Sequence, residues 1–397
     1  MKSLTIDSID IKGIGPIIDL HLDFDPHFNI ICGANGVGKT TILDCISQSF
    51  VFKPSVRCNA AMSEGKWKTA YCFDGVKKLG DERSTKIKYL CEESPHRMFY
   101  NQSESLLVYK VNRLLQYVNV ESISRDPSFD SSAWDKFIMA GADHKQIKHW
   151  FVNRYVWQPH EGGLNEVAKC NLEIAQKCVG YVNSEFKFSR VSHESNDVLI
   201  RTPFGEIELE QLSSGYIAML IVLLGIIKDI EYRYKDSQNG PLVKVEEFSG
   251  VVVIDEMDVH LHPTMQAQMY LALKKLLPNA QVITSTHSPH VIQVAKPSEI
   301  IPLVRKDGNV YVNPLVNREY GCQGWTVEEI LEDVMNMQET RTPEYHQAMN
   351  DFNDGLRADD GAKVRVAYEK LNLMLHPNNV LRQVLEIKKI GVGNDQD

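Results

Sequence analysis

Long hydrophobic runs are absent from this sequence of 397 residues, and no apolar stretch approaches the length of a membrane-spanning helix. The start, Met1–Ile6, passes directly into alternating strand-like sequence and lacks the apolar core and cleavage site of a signal peptide. These absences argue against a membrane or secreted protein. We therefore expect a cytoplasmic protein with no membrane partner.

Paired cysteine motifs are also absent. Eight cysteines are scattered along the chain without C-x-x-C spacing, so the sequence predicts neither a disulfide framework nor a zinc site. The formal charge of −9 argues against non-specific coating of nucleic acid but leaves room for a local basic groove. Between Thr41 and Leu212 no heptad pattern is sustained, which excludes long coiled-coil arms.

A glycine-rich turn at Gly33–Thr40 is the clearest positive signal. It follows the strand-like run Phe28–Cys32 and precedes the helix-like run Thr41–Ile46. Glycines let successive N–H groups point inward, and the helix that follows adds the positive end of its dipole. We expect Lys39 to reach the β- and γ-phosphates and the Thr40 hydroxyl to bind Mg²⁺. The expected nucleotide contacts are Asn35, Gly36, Val37, Gly38, Lys39, Thr40 and Thr41.

Two carboxylates, Asp255 and Glu256, end an apolar run that begins at Val251. The run indicates a buried strand of a parallel sheet, and acids at its carboxyl end lie where α/β folds bind ligands. We expect Asp255 to hold Mg²⁺ and Glu256 to polarise the attacking water. The alternative is a pair of solvent-facing acids at a strand end.

A histidine, His287, follows a third strand-like run, Gln281–Ser285. One helix, Met265–Leu277, separates this run from the acidic strand, so the two strands are expected to lie side by side. His287 would then lie near the γ-phosphate and sense it. The alternative is a structural histidine with ordinary hydrogen bonds.

A serine-rich turn, Leu212–Gly215, precedes the apolar helix Ile217–Ile227. Ser213, Ser214 and Gly215 either cap this helix or offer hydroxyl and N–H groups to a phosphate.

The order of these four segments resembles that of ABC-type ATPase heads, a group that includes the SMC and RecF proteins and the OLD-like and PtuA-like bacterial ATPases. The resemblance implies a Walker A loop at Gly33–Thr40, a signature motif at Leu212–Gly215, Walker B acids at Asp255 and Glu256, a D-loop at Met257–Pro263 and a switch histidine at His287. Tyr216 departs from the pattern, because an acid or glutamine is common at its position. The Q-loop glutamine is either Gln102 or Gln116, and the sequence does not choose between them.

The resemblance also implies an α/β fold: a β-hairpin-rich N-terminal part and a mostly parallel P-loop sheet flanked by helices, with an inserted helical lobe and a C-terminal helical appendage. We expect an N-terminal ATPase lobe at 1–95, the helical lobe at 96–195, a C-terminal ATPase lobe at 196–320 and the appendage at 321–397.

In such heads, the signature motif of one subunit closes over ATP held by the P-loop of another. The resemblance therefore implies an ATPase that forms a homodimer or higher homo-oligomer around ATP and Mg²⁺. The compact architecture is most similar to PtuA-like ATPases of bacterial antiphage systems, including those paired with retrons. Members of that group work with a separately encoded nuclease, often of the HNH type.

Two further classes of function stay open. One is a RecF-like DNA repair ATPase that clamps DNA, and the other, ranked last, is a transporter-associated subunit. Four basic side chains could form a surface that binds nucleic acid: Lys145, Lys148, His149 and Arg154. The alternative is that they lie on a solvent-exposed helix face without a ligand.

Overall fold

The structure is a computed structural model. It describes residues 3–51, 54–80, 82–88, 102–111, 119–124, 126–127, 131–141, 146–234, 242–313, 319–337 and 341–391. Contacts divide the chain into two compact units, Met1–Asn336 and Met337–Asp397. Gln116 and Lys145 lie outside the described residues.

Five strands form an antiparallel sheet in the first unit. They are β1 (Leu4–Ile14), β2 (Ile17–Asp23), β4 (Gly65–Phe73), β5 (Val76–Leu79) and β6 (Arg83–Thr85). The order is β2-β1-β4-β5, with β6 paired to β4. Six residues of β1 are buried: Leu4, Ile6, Ile9, Ile11, Gly13 and Ile14. A register shift after Ile6 keeps the pairs Leu4, Ile6 and Ile9, Ile11 on the core face. The hairpin predicted at the start of the chain is confirmed by the antiparallel pairing of β1 with β2.

A six-stranded sheet forms the centre of the first unit. Its strands are β3 (Phe28–Gly33), β7 (Leu106–Tyr109), β11 (Val251–Ile254), β12 (Gln281–Ser285), β13 (Ile300–Lys306) and β14 (Asn309–Val312). The order is β14-β13-β3-β12-β11-β7, and every pair is parallel except β13 with β14. Every residue of β3, β7, β11 and β12 is buried, although β12 contains the polar residues Gln281, Thr284 and Ser285. The predicted α/β class with a mostly parallel central sheet is confirmed.

A third, antiparallel sheet of order β10-β9-β8 precedes the longest helix. Its strands are β8 (Lys187–Val191), β9 (Val198–Thr202) and β10 (Gly205–Glu208). The range 96–195, expected to be helical, thus also supplies β7 to the central sheet and β8 to this one.

Helices surround the sheets of the first unit. They are α1 (Lys39–Gln48), α2 (Ser131–Ala140), α3 (Ile147–Trp157), α4 (Glu166–Val182), α5 (Ser214–Tyr234), α6 (Pro263–Leu276), α7 (Pro289–Val294) and α8 (Val327–Glu329), a single turn that continues into a π-helical turn at Ile330–Val334. Helix α5 is apolar around its whole circumference from Ile217 to Ile227 and is almost entirely buried, as expected for a core helix. In the described part of the chain, no helix combines the length and the apolar character that crossing a bilayer requires.

The second unit contains α9 (Pro343–Arg357), α10 (Gly361–Met374) and α11 (Val380–Gly391) around a small core of its own. Thr342 caps α9, and Pro343 occupies its first position, as the sequence predicts.

Two of the four candidate nucleic-acid residues are buried in ion pairs. Lys148 has only 1% of its side chain exposed, and its Nζ lies 2.5 Å from Asp197 and 2.7 Å from Glu210. Arg154 is likewise paired with two buried carboxylates, those of Asp126 and Glu231. The surface role and the solvated-face alternative are therefore both wrong for Lys148 and Arg154. Each lies on α3, where facing acids from distant segments neutralise its charge.

His149 is a neighbour on α3 with a local partner. Its Nε2 lies 3.0 Å from the Ser124 hydroxyl. The described members of the basic set therefore do not form a continuous cationic face.

Replacing Lys148 with methionine should strongly destabilise the first unit. The change leaves the Asp197 and Glu210 carboxylates buried without their cation, which typically costs about 3–5 kcal/mol. Urea unfolding followed by tryptophan fluorescence measures the loss. Lys169→Met is the matched control, because Lys169 pairs with the exposed Glu166 and such pairs contribute about 1 kcal/mol or less. Equal effects of the two changes would contradict a buried, interdependent charge cluster.

Candidate nucleotide-binding site

The Gly33–Thr40 loop joins β3 to α1 and has the shape of an anion cradle. Gly33 has a φ of 140°, and a Cβ at this position would lie 2.4 Å from the Leu303 carbonyl oxygen. Only glycine therefore fits where the loop leaves the sheet. Gly36 has a φ of 74°, and a Cβ there would meet no atom within 4 Å, so the tip of the loop faces open space. The N-terminus of α1 lies directly behind this tip, as a phosphate site requires.

Lys39 lies folded over this loop. Its Nζ donates hydrogen bonds to the carbonyl oxygens of Gly33 at 2.9 Å and Ala34 at 3.0 Å. Burial lowers the pKa of Lys39, and the negative charges of Glu256, Asp255 and Asp258 act in the opposite direction. The ammonium group is thus positioned within the loop that we expect to hold phosphate, close to the carboxylates that follow β11.

Parallel pairing brings the acidic and histidine segments to the edge of the sheet that holds the loop. Strand β12 pairs with β3 on one side and with β11 on the other, so all three carboxyl ends share one edge. At this edge the Thr40 hydroxyl donates to Asp255 Oδ1 at 3.1 Å. A hydroxyl and a carboxylate, both oxygen ligands, fit a hard divalent cation such as Mg²⁺. The two expected metal ligands therefore lie together.

Glu256 has a left-handed backbone conformation, with a φ of 49°. For a residue other than glycine this costs about 1–2 kcal/mol. Its N–H donates to the Ser285 hydroxyl at 2.7 Å, which holds the turn in place. The one acidic residue expected to act on water thus has an unusual backbone conformation, a feature often associated with functional sites.

Asp258 fixes the segment that carries His287. Its carboxylate accepts hydrogen bonds from the His287 N–H at 3.2 Å and from the Thr286 hydroxyl at 2.6 Å. Burial lowers the pKa of His287, and the nearby Lys39 ammonium lowers it further. His287 therefore lies close enough to the loop to feel its charge. Asp258 lies within the predicted D-loop and Ser285 within the predicted strand Gln281–Ser285, and neither pattern indicates the contacts that these two residues make.

The signature segment, Leu212–Gly215, lies at the N-terminus of α5. Ser213 and Ser214 are exposed, and the Ser213 hydroxyl accepts the Tyr216 N–H at 3.4 Å as a helix cap. Gly215 packs so closely that a Cβ would lie 2.9 Å from the His260 carbonyl oxygen. In the described part of the chain, no hydrogen bond joins this segment to the glycine loop. Both serines thus have exposed polar groups that make no hydrogen bond to the protomer's own loop.

Tyr216, which departs from the family pattern, is a core residue. Its hydroxyl donates to the Val179 carbonyl oxygen, and its ring packs against Phe186 with centroids 5.1 Å apart. Tyr216 therefore anchors α5 and does not extend the exposed serine face.

Gln102 lies at the wrong edge of the sheet for a Q-loop residue. It precedes β7, whose amino end pairs with the amino end of β11. The nucleotide edge is at the opposite, carboxyl end. Gln102 is therefore not the Q-loop glutamine, and Gln116 stays a prediction.

The predicted D-loop contains two histidines, His260 and His262. His262 caps α6, accepting from the Thr264 N–H at 3.5 Å, and His260 is exposed with a φ of 64°. Within the ranges that the structure describes, no group of three His, Cys, Asp or Glu side chains is arranged to hold a metal ion.

Comparison with known proteins agrees with this geometry. The AAA domain model matches residues 8–116, and the AAA ATPase domain model matches residues 182–292. Over 393 residues the chain is 38% identical to the Septu protein PtuA of Bacillus thuringiensis. The aligned region covers 97% of this chain and 98% of that protein. The chain belongs to the Septu PtuA family. It is an ATPase with AAA-type ATPase domains, and the likeness to PtuA-like ATPases that the sequence indicated is confirmed.

More distant relatives of this PtuA-family chain match over shorter stretches. A Septu protein PtuA of Bacillus mycoides (strain KBAB4) is 22% identical, over 83% of this chain and 44% of that protein. The retron Ec83 probable ATPase of Escherichia coli is 29% identical, over 39% of this chain and 27% of that protein. The match thus spans less than half of each of these two relatives.

Among solved structures, the chain is similar to the SMC head domain from Thermotoga maritima. The TM-score is 0.44 at 14% identity, over 78% of this chain and 98% of the other. The recombination mediator protein RecF gives a TM-score of 0.37 at 14% identity, also over 78% and 98%.

The stability of this PtuA-family protein should depend on pH through His287. Because its pKa is lowered in the folded state, the unfolded chain binds this proton more readily, and the free energy of unfolding falls as the pH drops through the ordinary histidine pKa of about 6.5. His287→Gln removes this term, so the variant should lose less stability than the wild type between about pH 7.5 and 5.5. Urea unfolding of the nucleotide-free protein at several pH values measures the difference.

His21 provides a control of opposite sign. The hydrogen bond that the His21 ring donates to the Asp10 carboxylate raises the pKa of His21, so its stabilising contribution is present at low pH and is lost as the pH rises through the folded-state pKa. His21→Gln should therefore lose more stability than the wild type at acid pH. If the stability of His287→Gln changes with pH in the same direction as that of His21→Gln, the pKa of His287 is not lowered in the folded protein.

Proposed function

We propose that ATP and Mg²⁺ bind at the shared edge of β3, β12 and β11. The observation that carries this proposal is the convergence of the glycine loop, Asp255, Glu256 and His287 on the carboxyl ends of adjacent parallel strands. Lys39, now bonded to two carbonyl oxygens of its own loop, exchanges them for the β- and γ-phosphates. The N–H groups of residues 35–41 and the N-terminus of α1 hold the remaining phosphate charge.

The roles of the polar residues follow from their chemistry. Thr40 and Asp255 hold Mg²⁺, which neutralises phosphate charge when bound. Glu256 orients the attacking water and accepts a proton as water adds to the γ-phosphate. His287, kept neutral by burial and by Lys39, hydrogen-bonds to the γ-phosphate without adding a second positive charge.

The exposed signature serines support an ATP-dependent dimer. Ser213 and Ser214 lie at the start of a long helix and make no hydrogen bond to the loop of their own protomer. We propose that they contact the γ-phosphate held by a second copy, with Gly215 allowing close approach. Phosphate then links two chains, and its release on hydrolysis separates them. This dimer is the unit of the homodimer or larger homo-oligomer expected from the sequence.

Two inactive variants should complement each other in such a dimer. Lys39→Ala removes the side chain that binds the β- and γ-phosphates. Ser214→Glu places a negative charge beside the partner's phosphate, and a glutamate is tolerated at a helix N-terminus. A heterodimer of the two carries one doubly defective site and one intact site. Co-expressed chains with different tags, purified by both tags in turn, should show about half of the wild-type ATPase activity.

Homodimers of each variant, and a heterodimer of Lys39→Ala with Lys39→Met, serve as controls and should stay inactive. If the Lys39→Ala and Ser214→Glu heterodimer is also inactive, the signature segment does not act across the dimer.

We further propose that this ATPase acts in the bacterial cytoplasm in antiphage defence, where it controls a separately encoded nuclease, of the HNH type. Membership of the Septu PtuA family and the partial match to a retron ATPase support this role. The basic set named for a nucleic-acid surface does not support a RecF-like DNA clamp, because Lys148 and Arg154 are paired with buried carboxylates.

Purification of the tagged chain with its genetic neighbours tests the partner. We expect an HNH nuclease to co-purify, in amounts that differ between Glu256→Gln, which should hold ATP with little turnover, and Lys39→Ala, which should not bind it. Glu247→Gln, an exposed acid outside the site, is the control and should match the wild type. Recovery of no nuclease, together with ATP-dependent and strongly salt-sensitive binding of duplex DNA by the chain alone, would support the clamp instead.

A further inference from the structure

The hydroxyl of Ser285 joins the two acidic residues of the site. Ser285 ends β12 and has 0% of its surface exposed. Its Oγ donates a hydrogen bond to Asp255 Oδ1 at 2.7 Å and accepts one from the Glu256 N–H at 2.7 Å. The hydroxyl thus acts as donor to one acidic residue and as acceptor for the backbone of the next.

The bond to Glu256 restrains an unfavourable backbone conformation. Glu256 has a φ of 49°, a region that side chains other than those of glycine, asparagine and aspartate seldom occupy. Such a conformation persists only where the surrounding structure holds it. The Ser285 hydroxyl accepts the N–H of this very residue, and the Ser285 carbonyl accepts the N–H of Met257 at 3.0 Å. Both bonds together define the direction in which the Glu256 side chain leaves the chain.

The bond to Asp255 places the same hydroxyl next to the expected metal ligands. Asp255 Oδ1 accepts from Ser285 and also from Thr40, so two hydroxyl groups orient one carboxylate. Loss of the Ser285 donor leaves more negative charge on Oδ1, and it does not remove a ligand. The need for Mg²⁺ should therefore not increase when this hydroxyl is deleted.

We propose that Ser285 is a positioning residue for ATP hydrolysis. Its hydroxyl holds Glu256 in the conformation that presents the carboxylate to water, and it couples that conformation to the carboxylate of Asp255. The inference rests on the roles proposed above for these two acidic residues. Ser285 itself contacts neither phosphate nor water in this mechanism.

A first experiment tests the hydrogen bond between the Glu256 N–H and the Ser285 hydroxyl, without nucleotide or metal. Ser285→Ala deletes the hydroxyl but keeps the backbone bond to Met257, so the Glu256 amide alone loses its acceptor. Hydrogen exchange of the Glu256 amide, read by NMR in the free protein, should speed up by about tenfold or more. Unchanged exchange would overturn the inference whatever the catalytic result.

The neighbouring Thr284 offers a matched control. Its hydroxyl is equally buried but donates only to backbone carbonyl oxygens, those of Ile254 at 2.8 Å and Ser285 at 3.3 Å. Thr284→Val removes a hydroxyl from the same strand with little change in shape. In Thr284→Val, the hydrogen-exchange rate of the Glu256 amide and the ATPase rate should both stay within about twofold of the wild type.

Steady-state kinetics and calorimetry test the catalytic consequence. Ser285→Ala should lower kcat by about tenfold or more, while its affinity for ATP and its half-saturating Mg²⁺ concentration stay within about twofold of the wild type. Ser285→Thr, which restores a hydroxyl, should recover part of kcat. A wild-type kcat in Ser285→Ala, or an equal loss in Thr284→Val, would refute the positioning role.

A double variant shows whether Ser285 acts through Glu256. If it does, adding Ser285→Ala to Glu256→Gln should cause no further loss of kcat, because the group being positioned is already gone. If the double variant instead loses kcat by the product of the two single factors, Ser285 acts independently of Glu256, and the inference is contradicted. Should Ser285→Ala not fold, Ser285→Cys, with a weaker hydrogen-bonding thiol of similar size, carries the same expectations.

These outcomes separate this inference from the proposed function. If Glu256→Gln itself keeps wild-type turnover, the assignment of Glu256 is wrong. If Glu256→Gln is inactive but Ser285→Ala is normal, only the role of Ser285 is wrong.

Discussion

The parallel pairing of β12 between β3 and β11 is the contact on which the site depends. Its register sets Thr284 opposite Ile254 and Ser285 opposite Ile31. Since successive side chains of a strand point to opposite faces, a slip of one residue would turn the Ser285 hydroxyl away from Asp255. Alternate side chains of β3, β11 and β12 pack into two different buried cores, one on each face of the sheet, so a slip would place each side chain in the wrong core. The hydrophobic packing of the sheet thus sets the geometry of the polar edge.

Buried charge serves a second structural purpose on α3. Lys148 holds both Asp197, just before β9, and Glu210, which lies three residues before Ser213. The two ends of the β9–β10 hairpin are therefore tied to one helix. This arrangement fixes the chain that leads into the signature segment, so α3 and the N-terminus of α5 are structurally linked. A conformational change of either element has to move the other or break a buried ion pair.

Features that depend on neighbouring residues were the predictable ones. The glycine loop, the acidic strand end and the cap at Thr342 each follow from short patterns whose backbone chemistry is local. The burial of Lys148 and Arg154 was not predictable, because a basic residue on a helix normally faces water and the acids that neutralise these two come from distant segments. The edge of the sheet on which Gln102 lies was also not predictable, since it depends on β7 joining the sheet beside β11.

The sequence by itself determined the kind of ligand and the order of the motifs, because a phosphate-binding turn is built from consecutive residues. It also determined that Asp255, Glu256 and His287 end strands of one parallel sheet. Only the tertiary structure decided which side chains meet. Ser285 and Asp255 are 30 residues apart, and Lys148 and Asp197 are 49 apart. Contacts over such separations depend on strand order and helix packing, which the core sets as a whole and no local pattern encodes.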